Sequence, residues 1–185
     1  EKERGKERER KRKQQREKER VREGRGTRRE RKRQKNGEEE IQMLIGEYEH
    51  SLDVKGRLIM PAKLRQDIGE TFIITKGLDG CLFVFPGNEW QIFEEKLKAL
   101  PLTNKNARQF SRFFVAGATP CELDRQGRIL LPLPLREFAG LEKDVVLAGM
   151  LNRIEIWSKT KWMENNSCDN MDDIAEQMSD LGLCI

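Results

Sequence analysis

Asp53-Val54-Lys55-Gly56-Arg57-Leu58-Ile59-Met60-Pro61-Ala62-Lys63-Leu64-Arg65 returns, 71 residues further on, as Asp124-Arg125-Gln126-Gly127-Arg128-Ile129-Leu130-Leu131-Pro132-Leu133-Pro134-Leu135-Arg136. Both stretches read D-x-x-G-R-x-x-x-P-x-x-L-R. After a one-residue slip the correspondence continues at an offset of 72, pairing Ile74 with Val146, Gly77 with Gly149, Leu82 with Ile154, Phe85 with Trp157 and Trp90 with Trp162. The chain therefore holds two copies of one unit, and a repeat of this kind decides the architecture before any single element does.

Each unit has a physical reading. A short alternating strand (Glu47 to Leu52; Thr119 to Leu123) leads into a turn where Asp can bond backbone N–H groups and Gly can take positive φ. A brief apolar strand follows (Leu58 to Met60; Ile129 to Leu131), then a Pro placed at the first position of a short helix. Two further strands come next, Phe72 to Thr75 with Cys81 to Phe85, and Val145 to Ala148 with Arg153 to Trp157. Gly77-Leu78-Asp79-Gly80 and Gly149-Met150-Leu151-Asn152 join them as hairpin connections. About fifty residues of such strands bury too little apolar surface to stand alone, so the two copies are expected to share one core. Glu89 to Leu100 and Asn106 to Phe114 fit helical faces, with Pro101 between them. Met171, Ile174, Met178 and Leu181 mark a last amphipathic helix, ended by Gly182 and expected to pack on its own barrel or a neighbour's. The fold class is α+β, mainly β: two tandem βαββ units around a small barrel core, with a helical linker and a C-terminal helix.

Charge is divided unevenly. Residues 1–40 hold 19 of the 36 Lys/Arg and 11 of the 32 Asp/Glu, leaving 17 basic against 21 acidic residues downstream. Arguments about partners must therefore rest on local charge. The first forty residues contain no Leu, Ile, Phe, Met, Trp or Tyr, and such a segment cannot offset its own ordering entropy. Of these forty, 34 are Glu, Lys, Arg or Gly, the amino acids that purine-only codons can encode. That bias, with Gly37-Glu38-Glu39-Glu40 just before Met43, points to translation starting at Met43. A basic arm that tracks phosphates, or a solvated linker, is the rival; the intact mass of the natively expressed protein separates them.

No secretory leader or membrane-length apolar run is present, so a soluble cytoplasmic protein is expected. Cys81, Cys121, Cys168 and Cys184 stand far apart, and His50 is the single histidine. That spacing offers no metal site; reduced, scattered thiols are expected, and no cofactor. With no phosphate loop, metal cluster or nucleophile motif in the sequence, the expectation is a protein that is not an enzyme.

The repeated motif resembles the AbrB/SpoVT family of swapped-hairpin DNA-binding barrels. The duplication resembles the MraZ family in particular, with Gly46-Glu47-Tyr48, Gly77-Leu78-Asp79-Gly80-Cys81-Leu82, Arg112-Phe113-Phe114 and Asn152-Arg153-Ile154-Glu155-Ile156-Trp157. The likeness runs from Met43 to about Leu183. On it the organisation is a charged leader over 1–42, a first AbrB-like unit over 43–90, a helical linker over 91–114, a second unit over 115–162, and an acidic tail with a short helix over 163–185. The resemblance implies a bacterial transcriptional regulator of the cell-division and cell-wall gene cluster, nucleoid-associated, whose subunits form rings that bind repeated promoter boxes on double-stranded DNA. The alternative is an antitoxin-like DNA-binding protein whose C-terminal tail binds a protein partner.

Arg57 and Arg128 directly follow the turn glycines Gly56 and Gly127, where a side chain can leave the tip of a hairpin and reach a groove. A bidentate arginine on guanine contributes roughly 1 to 3 kcal/mol of discrimination. Lys55 and Arg125, inside the turns, suit phosphates. The competing reading pairs Asp53 with Arg57, and Asp124 with Arg128, to hold each turn's shape. The aspartates are assigned that role, whereas the resemblance implies DNA contact for the arginines. Arg57 ranks above Arg128, because the first turn has Lys at its third position where the second has Gln126. Lys63, Arg65 and Arg136 either extend a basic surface or form a solvated helix face, the second being expected, and Trp90, Trp157, Trp162 and the linker phenylalanines are expected as core or interface anchors in preference to base-stacking platforms.

Overall fold

The computed structural model describes residues 43–167, 171–179 and 182; the leader, Cys168, Leu181 and Cys184 lie outside the described residues. In chain order the elements are β1 (Leu44–Ser51), β2 (Arg57–Ile59), α1 (Ala62–Ile68), β3 (Thr71–Lys76), β4 (Leu82–Pro86), α2 (Gly87–Lys98) and α3 (Lys105–Val115). The second copy follows with β5 (Thr119–Glu122), β6 (Arg128–Leu130), α4 (Leu133–Ala139), β7 (Asp144–Leu151) and β8 (Ile154–Ser158), then α5 (Lys159–Asn165) and α6 (Met171–Ser179). The strand before each turn and the one after it lie in different sheets, so each unit is ββαββ, with the four strands that the sequence reading placed in it.

Pro61 and Pro132 are N-cap residues, with ψ of 138° and 139°, and not the first helical residues expected of them. Their extended ψ turns the chain into α1 and α4, whose Leu64, Ile68, Leu135 and Ala139 point into the core. Asn104 caps α3 by accepting from the Asn106 and Ala107 amides at 2.8 and 3.2 Å. Helix α5 has no counterpart in the sequence reading. Its signal was Ser158, whose hydroxyl accepts from the Lys161 amide at 3.3 Å.

Strand pairing crosses between the copies. Six antiparallel strands run in the order β1-β7-β8-β4-β3-β5, so the leading strand of each copy adds to the closing hairpin of the other. β2 and β6 form a separate two-stranded ribbon. In the ribbon Leu58 lies opposite its own repeat equivalent, Ile129, and in the sheet Phe83 lies opposite its equivalent, Glu155. A local two-fold axis therefore passes through both pairs.

Sheet and ribbon enclose one apolar interior that includes Leu58, Met60, Ile74, Leu82, Ile129, Leu131, Leu147 and Ile156, all 0–1% exposed. Removing each such side chain from water contributes about 1.5 to 3 kcal/mol, and both copies supply it. The other face of the sheet carries an aromatic layer of Phe83, Phe85, Phe114 and Trp157, with Trp90, Phe93, Phe113 and Trp162 packed against it. Here the expected anchoring role of the tryptophans and linker phenylalanines is seen, with Phe85 stacked on Phe93 at 5.2 Å. Phe110 is the partial exception, at 43% exposure. No residue of α6 is buried. Among the described residues no helix is long and apolar enough to cross a membrane.

Candidate nucleic-acid interface

Both turns are closed by the same bonds. The Asp53 Oδ1 accepts from the amides of Lys55 and Arg57 at 2.8 and 2.9 Å, while the Gly56 amide donates to the Asp53 carbonyl at 2.9 Å. In the second turn Asp124 Oδ1 accepts from Gln126 and Arg128 at 2.8 and 3.0 Å, and the Gly127 amide donates to the Asp124 carbonyl at 2.9 Å. The remaining carboxylate oxygen holds the arginine: Nε of Arg57 and of Arg128 each donate to it at 2.8 Å. The Asp–Arg pairing weighed for each turn is therefore present in both. It fixes one edge of the guanidinium and leaves the other turned outward.

The backbone and side-chain N–H groups of Arg57 lower the Asp53 carboxyl below its usual range, and those of Arg128 hold Asp124 at about 2. Because the folded value is depressed, the Asp124 carboxylate's contribution to its turn is complete above about 3.8 and is lost only as pH falls towards 2. A carboxyl NMR titration of Asp124 is expected to find its midpoint near 2, with the turn unchanged across pH 6 to 8.

Gly56 and Gly127 have φ of 77° and 72°, where a side chain costs about 1 to 2 kcal/mol. A second constraint comes from the opposite copy. A Cβ on Gly56 would lie 2.6 Å from Cζ of Arg136, and one on Gly127 would overlap the Arg65 guanidinium. Arg65 and Arg136 were read as a solvated face, and that reading is corrected. Arg65 donates to the Met60 carbonyl at 2.8 and 3.1 Å, Arg136 donates to the Leu131 carbonyl at 3.1 Å, and both are half-buried beneath the other copy's turn. The paired glycines add the Met60 amide to Gly127 carbonyl bond and the Leu131 amide to Gly56 carbonyl bond, each 3.0 Å. Gly127→Ala is expected to destabilise the protein by about 2 kcal/mol in thermal denaturation. Gly69→Ala, at φ 83° in open space, should pay the backbone cost alone.

Each arginine directly follows its turn glycine, opens a ribbon strand and closes the turn through its carbonyl, which accepts from the aspartate amide at 2.9 Å for Arg57 and 2.8 Å for Arg128. In the ribbon Arg57 is opposite Leu130 and Ile59 is opposite Arg128. Side chains alternate along a strand, so Leu58 and Ile129 face the core and Arg57, Ile59, Arg128 and Leu130 share the outer face. The two arginines stand two residues apart on adjacent strands, about 8 Å between α-carbons. Their side chains are 32% and 24% exposed, and Lys55 and Arg125 are exposed in the flanking turns. Nη2 of Arg128 also lies 2.7 Å from its aspartate, and of the two side chains that of Arg57 is the more exposed.

Among the described residues, the other chemistry-bearing side chains named above do not assemble into a site. Burial pushes the Cys81 thiol up to about 12, so it is protonated at neutral pH, and it donates to the Leu78 carbonyl at 3.2 Å. His50 lies in an open polar hollow with Glu49, Ser51, Asp144 and Lys159, where Lys159 pairs with Glu49 at 2.6 Å. Among the described residues no group of three His, Cys, Asp or Glu side chains is placed to hold a metal ion.

A duplicated ββαββ unit with exchanged strands, one shared core and a turn-braced arginine pair on a ribbon defines a tandem swapped-hairpin barrel protein. A family model described as "MraZ protein, putative antitoxin-like" matches residues 43–113 and again 114–181. The chain belongs to the MraZ family. It is 60% identical over 142 residues to the "Transcriptional regulator MraZ" of Clostridium beijerinckii, an alignment covering 76% of this chain and all of that protein. It is 56% identical to the proteins of the same name from Clostridium acetobutylicum, over 142 residues, and Thermoanaerobacter sp., over 143, with the same coverage of both chains.

Proposed function

We propose that the chain is a sequence-specific transcriptional regulator and not an enzyme. It binds double-stranded DNA as a ring-like homo-oligomer, on repeated promoter boxes upstream of the division and cell-wall gene cluster, in the cytoplasm and on the nucleoid. One observation carries the reading: Arg57 and Arg128 share the outer face of a two-stranded ribbon whose inner face is core. A ribbon of this kind fits the major groove, about 12 Å wide, and Lys55 and Arg125 flank it where phosphates would pass. The names of the relatives support a regulator.

The net charge of the folded part is unfavourable, with 17 basic residues against 21 acidic ones after residue 40. One subunit makes few phosphate contacts, and its affinity for one box should be weak. Several linked subunits raise avidity about 10²- to 10⁴-fold when the boxes recur at the spacing of the subunits. A gel shift with the DNA upstream of the protein's own gene, at two salt concentrations, tests the proposal with Arg57→Ala as the comparison. Equal binding to that DNA and to unrelated duplex would count against it.

A further inference from the structure

Between the two guanidinium groups the outer face of the ribbon is aliphatic. Ile59 is 48% exposed and Leu130 is 60% exposed. They occupy the same position in the two copies, 71 residues apart, and each lies directly across the ribbon from the other strand's arginine. A ribbon with one face in the core calls for polar residues on its wet face, yet both copies hold a branched aliphatic side chain there.

We propose that Ile59 and Leu130 are specificity-determining residues that read thymine C5 methyl groups in the major groove, beside the bases met by Arg57 and Arg128. The proposal rests on the DNA-binding reading above and deepens it. Thymine is the base that presents a methyl group in that groove, and apolar side chains recognise it by contact. Cross-strand neighbours stand about 4.5 to 5.5 Å apart at Cβ, and successive bases about 3.4 Å apart along a strand. Each aliphatic group therefore falls within one or two base pairs of the base its neighbouring arginine reaches. Charge selects the occupant. Lys55, Arg57, Arg125 and Arg128 surround the patch, and with Asp53 and Asp124 pairing two of them the rim keeps an excess of positive charge, which suits a polyanion better than a second copy docked face to face.

The test compares upstream DNA made with thymidine against the same sequence made with deoxyuridine, which keeps every hydrogen-bonding edge and lacks the methyl. The full chain is titrated by fluorescence anisotropy, as wild type and as Ile59→Ala/Leu130→Ala. Wild type is expected to lose about fourfold in affinity for each contacted methyl removed, the worth of one small apolar group taken from water. The double variant should bind thymidine DNA more weakly and no longer distinguish the two. Both positions are half exposed, so the variant leaves the core intact; the wild-type comparison does not depend on it. Sequence-preferring binding by wild type with no loss on deoxyuridine overturns the methyl readout and leaves the regulator standing. Absence of any sequence preference overturns both. A change in the variant's assembly mass, with methyl discrimination retained, assigns the patch to subunit contact and overturns the proposal.

Discussion

Arg57→Ala is expected to weaken binding to the upstream DNA by roughly 5- to 150-fold per engaged box, the worth of one bidentate guanine contact. The fold should survive the change. Asp53 would still accept from the Lys55 and Arg57 amides at 2.8 and 2.9 Å, and the Gly56 amide would still close the turn. The loss would therefore belong to the missing guanidinium and not to a collapsed turn, which an unchanged melting temperature would document. Arg128→Ala should cost less, because that side chain is the less exposed of the two. Lys55→Ala should weaken all sequences about equally and reduce the slope of log affinity on log salt by roughly 0.9. Wild-type affinity in Arg57→Ala, measured by anisotropy at two salt concentrations, would remove the ribbon from the interface.

Leu58→Ala is expected to cost about 2 to 5 kcal/mol, since a fully buried leucine leaves a cavity as well as lost transfer energy. Total stabilities of domains this size are only about 5 to 15 kcal/mol. The shape of the transition carries as much information as its midpoint. Leu58 packs at the local two-fold against Ile129, β1 hydrogen-bonds to β7, and β5 hydrogen-bonds to β3, so neither copy can come apart alone. Urea unfolding should remain a single step, moved to lower denaturant. Two separated transitions, one near the wild-type position, would show that the copies fold independently.

Much of this was legible from residues a few positions apart. Asp53 and Asp124 cap their turns within four residues, Gly56 and Gly127 take the positive φ their place demands, and the two closing hairpins follow from local apolar runs. What was not legible is which strand pairs with which. Partner choice between β1 and β7, or β5 and β3, rests on contacts far apart in the chain, and either copy could have used its own hairpin. Arg65 and Arg136 were misread for the same reason: a charged residue on a short helix looks solvated until the other copy's turn is placed above it. Their recurrence at one position of both repeats was the available signal. Helix α5 was missed although the offset of 72 maps Gly87, the start of α2, onto Lys159.

The pair at the centre of the sheet has a bearing on the protein's history. Phe83 and Glu155 are equivalent residues set opposite one another, and Glu155 is buried, accepting from Arg153 at 2.8 Å and Trp157 at 3.1 Å while Arg153 stacks on the Phe83 ring at 4.5 Å. In an ancestral dimer of identical halves that site would have met its own image, and a carboxylate there would have faced a second carboxylate. One polypeptide carrying both copies is free of that restriction, and here an acid and a ring stand at the two equivalent positions as complements. The present chain is thereby committed to joining unlike halves: two second halves set face to face would bring two buried carboxylates together, so that pairing is disfavoured against the joining of a first half to a second.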